Sequence, residues 1–147
     1  MKYNMAIQKY PHEIFEEVCK LENREDRIKY LKKNAYKQVK TLLQLCYNDK
    51  IVLDLPSGKP PFNPCPEGRQ PSPIANVFKP IGLLVKGSKI SQVKKEKIFI
   101  GMLEQLPEED AGLLVAAKDG TIINLQNKKY RKITKSLVEA TFPELLK

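Results

Sequence analysis

The longest regular pattern of apolar residues runs from Arg24 to Cys46. Apolar side chains recur there at steps of three and four residues, which places them on one face of a helix. These positions are Ile28, Leu31, Ala35, Val39, Leu42 and Cys46. The opposite face carries Lys29, Lys32, Lys33, Lys37 and Lys40. The pattern predicts helix throughout, and Asn34 leaves open whether there is one helix or two.

A shorter helix is predicted in the preceding stretch PHEIFEEVCKLE, which begins at Pro11. Proline suits the first turn of a helix because its missing N–H would have no helical partner there. Ile14, Val18 and Leu21 then form one apolar stripe. Residues 1–49 are therefore predicted to form an N-terminal helical part.

The C-terminal half shows the same kind of pattern. Ser88 or Ser91 caps a helix whose many apolar residues predict deep burial. Those residues are Val93, Ile98, Phe99, Ile100, Met102, Leu103 and Leu106. Pro107 begins the next helix, which carries three carboxylates in its first turn and ends before Gly120. Thr134 then caps a last short helix.

Prolines separate the two helical parts, since residues 56–80 hold eight of the eleven in the chain. Proline fixes φ and lacks a backbone donor, so this stretch favours polyproline II conformation broken by turns. Glycine is sparse, unlike in a flexible tether. We expect a strap that packs across the helices, anchored by Leu55, Phe62 and Ile74. In a second interpretation the strap docks onto another protein. The residues of that alternative are Pro60, Pro61, Phe62 and Pro64.

Length and composition fit this organisation. A chain of 147 residues with 41% hydrophobic and 29% charged residues has the size and composition of one globular domain. We predict a mainly α fold, a small single-domain helical bundle with a long ordered proline-rich strap between two helical halves. The predicted boundaries are 1–49 for the N-terminal helices, 50–80 for the strap and 81–147 for the C-terminal helices.

Membrane and metal sites are not expected. No apolar run approaches the ~18 residues of a membrane-spanning helix, and the N-terminus lacks the apolar core of a secretory signal. Cys19, Cys46 and Cys65 are too far apart in sequence for the closely spaced ligand pairs of a zinc site, and their odd number fits a reducing compartment. We expect a soluble intracellular protein with no membrane partner, metal or cofactor.

Charge is the strongest compositional signal. The chain carries a net charge of +9, with a pI near 9.4. Residues 1–50 and 111–147 each contribute +4, whereas residues 88–110 contribute −1. An excess of this size favours attraction to polyanions, through counterion release when the partner is nucleic acid.

The densest basic run is the sequence KKYRK at residues 128–132, with a tyrosine inside it. Lysine and arginine neutralise phosphates, and a tyrosine ring among them can stack on a base. We therefore expect a DNA- or RNA-binding surface here, while a solvated loop is the competing interpretation. The candidate contacts are Lys128, Lys129, Tyr130, Arg131, Lys132 and Lys135, with Lys29, Lys33, Lys37 and Lys40 as secondary contacts.

The sequence contains no catalytic signature. His12 is the single histidine and has no evident nucleophile near it in sequence, which is typical of a surface residue. The motifs GxSxG, GxGxxG, HExxH and the P-loop are absent. We predict a non-enzymatic protein that binds nucleic acid or the machinery carrying it. The alternative is a protein–protein adaptor that engages its partner through the strap.

Three segments together resemble a known family. They are LPSGKPPFNP, KIFIGMLEQLPEEDAGLLVAAKDGTI and YRKITKSLVEATFPELL. They are similar to small proteins of unknown activity encoded by large contractile-tailed phages of the myovirus type, marine cyanophages among them. The resemblance implies a virus-encoded protein that acts in the cytoplasm of an infected bacterium, and it assigns no functional residue.

Overall fold

A computed structural model describes residues 9–63, 65, 73–120 and 130–147. The fold in these ranges is mainly α, as predicted, with seven α-helices and no strand. The helices are α1 (Pro11–Lys20), α2 (Arg24–Asn34), α3 (Lys37–Tyr47), α4 (Ile74–Val77), α5 (Gln92–Glu104), α6 (Glu108–Lys118) and α7 (Lys135–Thr141). Two 3₁₀ helices lie at Lys79–Leu84 and Pro143–Leu146.

Helix starts follow the capping chemistry of the sequence. Ser91 and Thr134 lie before α5 and α7, and their hydroxyls accept hydrogen bonds from backbone N–H groups inside the first turn, at 3.3 and 3.1 Å. In α1 the side chain of Glu13 turns back and accepts the N–H of Tyr10 at 2.9 Å. These acceptors satisfy donors that have no partner within the helix.

The pattern from residue 24 to residue 46 forms two helices. The break lies at Ala35 and Tyr36, both with extended backbone angles. The hydroxyl of Tyr36 donates to the carbonyl of Lys9 at 2.6 Å. A tertiary contact of this residue with the chain before α1 therefore accompanies the break.

The core consists of two clusters. The first contains residues of α3 to α6 and of the strap, with Phe99, Met102 and Leu103 of α5 at most 2% exposed. The second contains residues of α1, α2, α3, α6 and α7, with Phe15 and Val18 fully buried. Helices α3 and α6 contribute side chains to both clusters.

Helix α5 is less uniformly buried than its composition predicts. Val93 is 64% exposed, whereas Lys95 is 3% exposed. The ammonium of Lys95 donates to the carboxylate of Asp54 at 2.7 Å, which explains its burial. The expectation of deep burial is therefore wrong for Val93, and Ile98 and Ile100 are only half-buried. It is confirmed for Phe99, Met102, Leu103 and Leu106.

Of the predicted strap, residues 50–80, the structure describes residues 50–63, 65 and 73–80. Helix α4 and the start of the first 3₁₀ helix lie within residues 74–80, so the extended conformation predicted for them is wrong. Over residues 51–63 the strap is extended and packs against the first cluster. Leu53 and Val85 form an isolated antiparallel bridge. Leu55 and Phe62 pack against the first cluster, and Ile74 belongs to it. All three expected anchors are thus confirmed. Residue 64 and residues 66–72 lie outside the described residues, and the predicted domain boundaries stay predictions.

Two glycines allow a test of the strap's turn. Gly58 has a φ of +89°, which side-chain-bearing residues rarely adopt, and space for a Cβ is open there. Gly82 has equal space and no such φ. We expect Gly58→Ala to lower the free energy of unfolding by about 1 kcal/mol and Gly82→Ala to leave it unchanged or raise it by about 0.5 kcal/mol. Chemical denaturation measures both, and equal effects would contradict the described turn.

Candidate functional site

The basic run at residues 128–132 is only partly described. Lys128 and Lys129 lie outside the described residues. Arg131 and Lys135 are exposed, and Lys132 is half-buried. Lys135 is the first residue of α7. The described part of the run therefore presents cations to solvent directly before and at the start of this helix.

Tyr130 occupies a different place from the one expected. Its side chain is 4% exposed and belongs to the second cluster. The ring packs edge-on against Phe15, with 6.0 Å between ring centroids and an angle of 72° between planes. Burial, with smaller contributions from Glu16 and Asp110, raises the pKa of its hydroxyl. The expectation that this ring stacks on a base is wrong, because stacking requires a face open to solvent.

Lys132 instead meets Arg27 of α2. The Nζ of Lys132 and the Nε of Arg27 both donate to the carbonyl oxygen of Leu21, at 3.4 and 3.0 Å. Arg27 also donates to the carbonyl of Glu22 at 2.8 Å. Two cations separated by 105 positions in the chain therefore flank a single oxygen, which carries only a partial negative charge.

Arg24 extends this group towards α7. Its guanidinium donates to the hydroxyl of Ser136 at 3.0 Å and to the carbonyl of the same residue at 3.3 Å. We call the whole group the basic surface, and it consists of Arg24, Arg27, Arg131, Lys132 and Lys135. Within the described ranges, none of these five forms an ion pair with a carboxylate.

The electrostatic surroundings of Cys19 show the same convergence. Burial raises the pKa of this half-buried thiol, while the backbone of Lys132 and the charges of Lys132, Arg27 and Arg131 oppose the rise. Three members of the basic surface thus act on one sulfur. The raised pKa keeps the thiol protonated near neutral pH, so the sulfur is a poor nucleophile.

Arg24 and Arg27 are absent from the sequence-based candidates. They belong to the same helical pattern as Lys29 and Lys33, and only the corner between α1 and α2 brings them to α7.

The expected ridge of lysines is also divided. Lys29 and Lys33 lie on α2, whereas Lys37 and Lys40 lie on α3, beyond the break. The four lysines therefore do not form one continuous helical ridge. The first three are exposed, whereas Lys40 is half-buried with its ammonium 5.0 Å from the centre of the Phe142 ring.

A histidine–aspartate pair joins α1 to α6. The Nδ1 of His12 lies 2.6 Å from Oδ2 of Asp110, and the backbone N–H of His12 donates to Oδ1 at 2.9 Å. Asp110 is 1% exposed, and the side chain of His12 is 15% exposed. Asp110 belongs to the first turn of α6, and its carboxylate contacts the first turn of α1. Free backbone N–H groups at helix starts favour an anion there. Sequence reasoning placed His12 at the surface and assigned Asp110 only to the start of a helix.

Burial lowers the pKa of His12, but its hydrogen bond to Asp110 and the nearby charges of Asp110, Glu109 and Glu13 outweigh that effect and raise it. The ring also stacks on Tyr10, with 6.2 Å between centroids. The hydrogen bonds and charges around His12 are those of a structural link between helices. The described part of the chain contains no group of three or more His, Cys, Asp or Glu residues arranged to hold a metal ion.

The strap is tied to the end of α6. The ammonium of Lys118, whose side chain is 2% exposed, donates to the carbonyls of Pro56 at 2.7 Å and Gly58 at 3.1 Å. It also pairs with Asp119 at 2.6 Å, and the second carboxylate oxygen of Asp119 accepts the N–H of Gly58 at 2.9 Å. Further along the strap, the N–H of Asn63 donates to Glu104 at 3.1 Å.

A cleft of about 270 Å³ lies between the strap and helices α5 and α6. It is lined by Leu55, Pro56, Ser57, Gly58, Lys59, Pro60, Pro61, Glu96, Phe99, Ile100 and Lys118. Two of the docking residues expected in the alternative interpretation, Pro60 and Pro61, thus line this cleft. Phe62 is half-buried and packs against the first cluster, with the ammonium of Lys59 at 5.3 Å from its ring centre. Pro64 lies outside the described residues.

Comparison with known proteins gives one match. The model of DUF6433, a family of unknown function, matches residues 14–124. No curated protein and no solved structure matches the chain. The matched range includes Arg24, Arg27 and the strap, and it ends before the basic run and α7. Among the described residues, no helix has the length and apolar character needed to cross a membrane.

Proposed function

The chain belongs to the DUF6433 family, and we propose that it binds nucleic acid through the basic surface without catalysing a reaction. One observation carries the proposal. Arg27 and Lys132 flank the same carbonyl oxygen of Leu21, and no carboxylate pairs with either cation in the described ranges. A cation that pairs with no carboxylate of the protein remains available for a charge-assisted hydrogen bond to an external anion.

Phosphate groups satisfy this arrangement well. The guanidinium group presents several N–H donors in a plane, and the lysine adds a point charge beside it. Each phosphate that the protein neutralises releases condensed counterions, which makes the binding favourable and sensitive to salt. The net charge of +9 adds long-range attraction to the same kind of partner.

The other cationic candidates enter this proposal as supporting contacts. In the sequence, Lys128 and Lys129 lie three and two positions before Arg131, a member of the basic surface. Lys29, Lys33 and Lys37 are exposed on α2 and α3, and Lys40 is half-buried on α3. Their contribution is expected to be additive and weaker, since salt screens the interactions of solvent-exposed charges.

The double substitution Arg27→Gln and Lys132→Gln tests the proposal. We expect it to weaken binding of a nucleic-acid fragment by at least about tenfold at ~100 mM salt. The slope of log K against log salt should become shallower by about 2, because two phosphate contacts are lost. Fluorescence anisotropy titrations over a salt series measure both quantities.

The matched control is Lys79→Gln with Lys89→Gln. These two lysines are exposed and precede α5 in the chain, and their replacement removes the same net charge. The control should keep most of the affinity and most of the slope. An equal loss in both double variants would assign the binding to net charge alone and contradict a defined surface.

The strap supports a second candidate function, that of a protein–protein adaptor. Pro60 and Pro61 line the cleft beside α5 and α6, and Val52 at the start of the strap is 42% exposed. A partner with an apolar segment would find a preformed surface there. This function is favoured if the wild-type protein binds neither DNA nor RNA at low salt.

We also propose that the protein is encoded by a phage and acts in the cytoplasm of the infected bacterium. The support is the similarity of three segments to proteins of large contractile-tailed phages, and the first two segments lie within the range that the family model matches. Tagged protein recovered from infected cells tests this setting. Recovery of nucleic acid in the same sample would support the first function, and recovery of one dominant protein partner lost on strap substitution would support the second.

A further inference from the structure

Aromatic rings are a second requirement for binding some nucleic acids, and none of the aromatic side chains that the structure describes is exposed. The chain contains six tyrosines and five phenylalanines. All except Tyr3 lie in the described ranges, and none of those ten is exposed. Four of the ten are buried: Phe15, Phe78, Phe99 and Tyr130.

The half-buried rings have partners within the protein. Lysine ammonium groups lie over Phe62 and Phe142, at 5.3 and 5.0 Å from the ring centres. Tyr10 stacks on the ring of His12. The remaining hydroxyls take part in hydrogen bonds. Those contacts join Tyr30 to Lys9, Tyr36 to the carbonyl of Lys9 and Tyr47 to the carbonyl of Ile133.

The chain next to the basic surface cannot supply a ring either. Residues 121–129 have the sequence TIINLQNKK, which contains no aromatic residue. Tyr130, which follows directly, packs against Phe15 in the second cluster. Among the described residues, the basic surface therefore presents cations and no exposed aromatic ring.

The presence of cations without exposed rings favours one of two kinds of nucleic acid, single-stranded or double-stranded. Proteins that bind single strands combine a basic groove with aromatic platforms, and each stacked base contributes about 1–3 kcal/mol. A duplex hides the faces of its bases and presents phosphates at about twice the linear density of one strand, with one charge per roughly 1.7 Å of axis. A surface of cations without rings fits the duplex.

We infer that the basic surface binds double-stranded nucleic acid through its phosphate backbone, independently of base sequence. The inference rests on the proposed function and specifies its ligand. The shared chemistry is the regular array of phosphates along a double helix, which duplex DNA and duplex RNA both present.

Four probes of equal length test the inference with the wild-type protein: duplex DNA, duplex RNA, single-stranded DNA and single-stranded RNA. Anisotropy titrations at ~50 mM salt should give at least one duplex an affinity roughly tenfold above that of both single strands. Two duplexes of unrelated base sequence should bind within about twofold of each other. The variant Arg27→Gln with Lys132→Gln should lose duplex binding by at least about tenfold, while the Lys79→Gln with Lys89→Gln control keeps it.

The outcomes are distinguishable. Tighter duplex binding of DNA, of RNA or of both supports the inference and identifies which helix the protein binds. Single-strand binding as tight as duplex binding overturns the inference and leaves the proposed nucleic-acid function standing. A strong preference between the two duplex sequences overturns the backbone contact. Absence of binding to all four probes overturns the proposed function together with the inference.

Discussion

Lys118→Met is expected to lower the free energy of unfolding by about 3 kcal/mol, because it removes a buried ammonium that pairs with the part-buried carboxylate of Asp119 and donates to two carbonyls of the strap. Methionine keeps most of the apolar stem of the side chain and loses the ammonium. The carbonyls of Pro56 and Gly58 and one carboxylate oxygen of Asp119 would then lose a donor that lies between 2.6 and 3.1 Å away. Chemical denaturation measures the change in stability.

Hydrogen exchange should also show which part of the structure is destabilised by the substitution. Hydrogen exchange of the Gly58 amide should accelerate, since this N–H donates to the Asp119 carboxylate that Lys118 holds in place. Lys97→Met is the matched control, because Lys97 is exposed on the neighbouring helix α5, and we expect a change within about 0.5 kcal/mol. A Lys118→Met protein with wild-type stability and unchanged Gly58 exchange would show that the strap is held by its apolar anchors alone.

Asp110→Ala is expected to have a comparable effect, roughly 2–4 kcal/mol of lost stability. The substitution removes the carboxylate partner of the His12 ring and the acceptor of the His12 backbone N–H. Glu108→Ala is the control, since Glu108 lies in the same first turn and is exposed, and its replacement should cost less than about 1 kcal/mol. Similar losses for both variants would mean that Asp110 acts through the helix dipole and not through His12.

The pH dependence follows from the sign of the shift at His12. The pKa of this imidazole is raised in the folded protein, so the folded state binds its proton more tightly than the unfolded state. The stabilising contribution is therefore complete below pH ~6.5 and is lost as the pH rises through the folded pKa. The difference in unfolding free energy between wild type and His12→Gln should shrink from pH 5.5 to pH 8.5. A difference that grows over this interval would reverse the assignment.

Much of the fold could be predicted because local chemistry and tertiary structure agree. Ser91 and Thr134 cap helices as their side chains allow, and Gly120 has the positive φ that a glycine after a helix favours. Leu55 and Phe62 anchor the strap because proline-rich chain has few other apolar groups to bury. For the caps and the glycine the deciding interaction lies within a few residues of the chain, and for the strap the composition alone identifies the apolar anchors.

Buried cations could not be predicted in the same way. Lysine is among the residues least often buried. The side chains of Lys95 and Lys118 are buried because carbonyl and carboxylate oxygens of the strap accept hydrogen bonds from their ammonium groups. The partner of Lys95 is Asp54, 41 positions away. Pairings of this kind depend on the arrangement of helices, which one sequence does not determine.

The candidate site was predicted in part for the same reason. Arg131, Lys132 and Lys135 are adjacent in sequence and form a visible basic run. Arg27 joins them only through the turn between α1 and α2, so its proximity to Lys132 required the fold. Tyr130 has the sequence context of a binding residue because it lies among cations, whereas the fold buries its ring against Phe15 in the second cluster.

Helices α3 and α6 supply side chains to both apolar clusters, so the clusters share two of their walls. Heating that disrupted either helix would expose both clusters to water at the same time. We therefore expect the protein to unfold in one cooperative step, with neither cluster remaining folded after the other has opened.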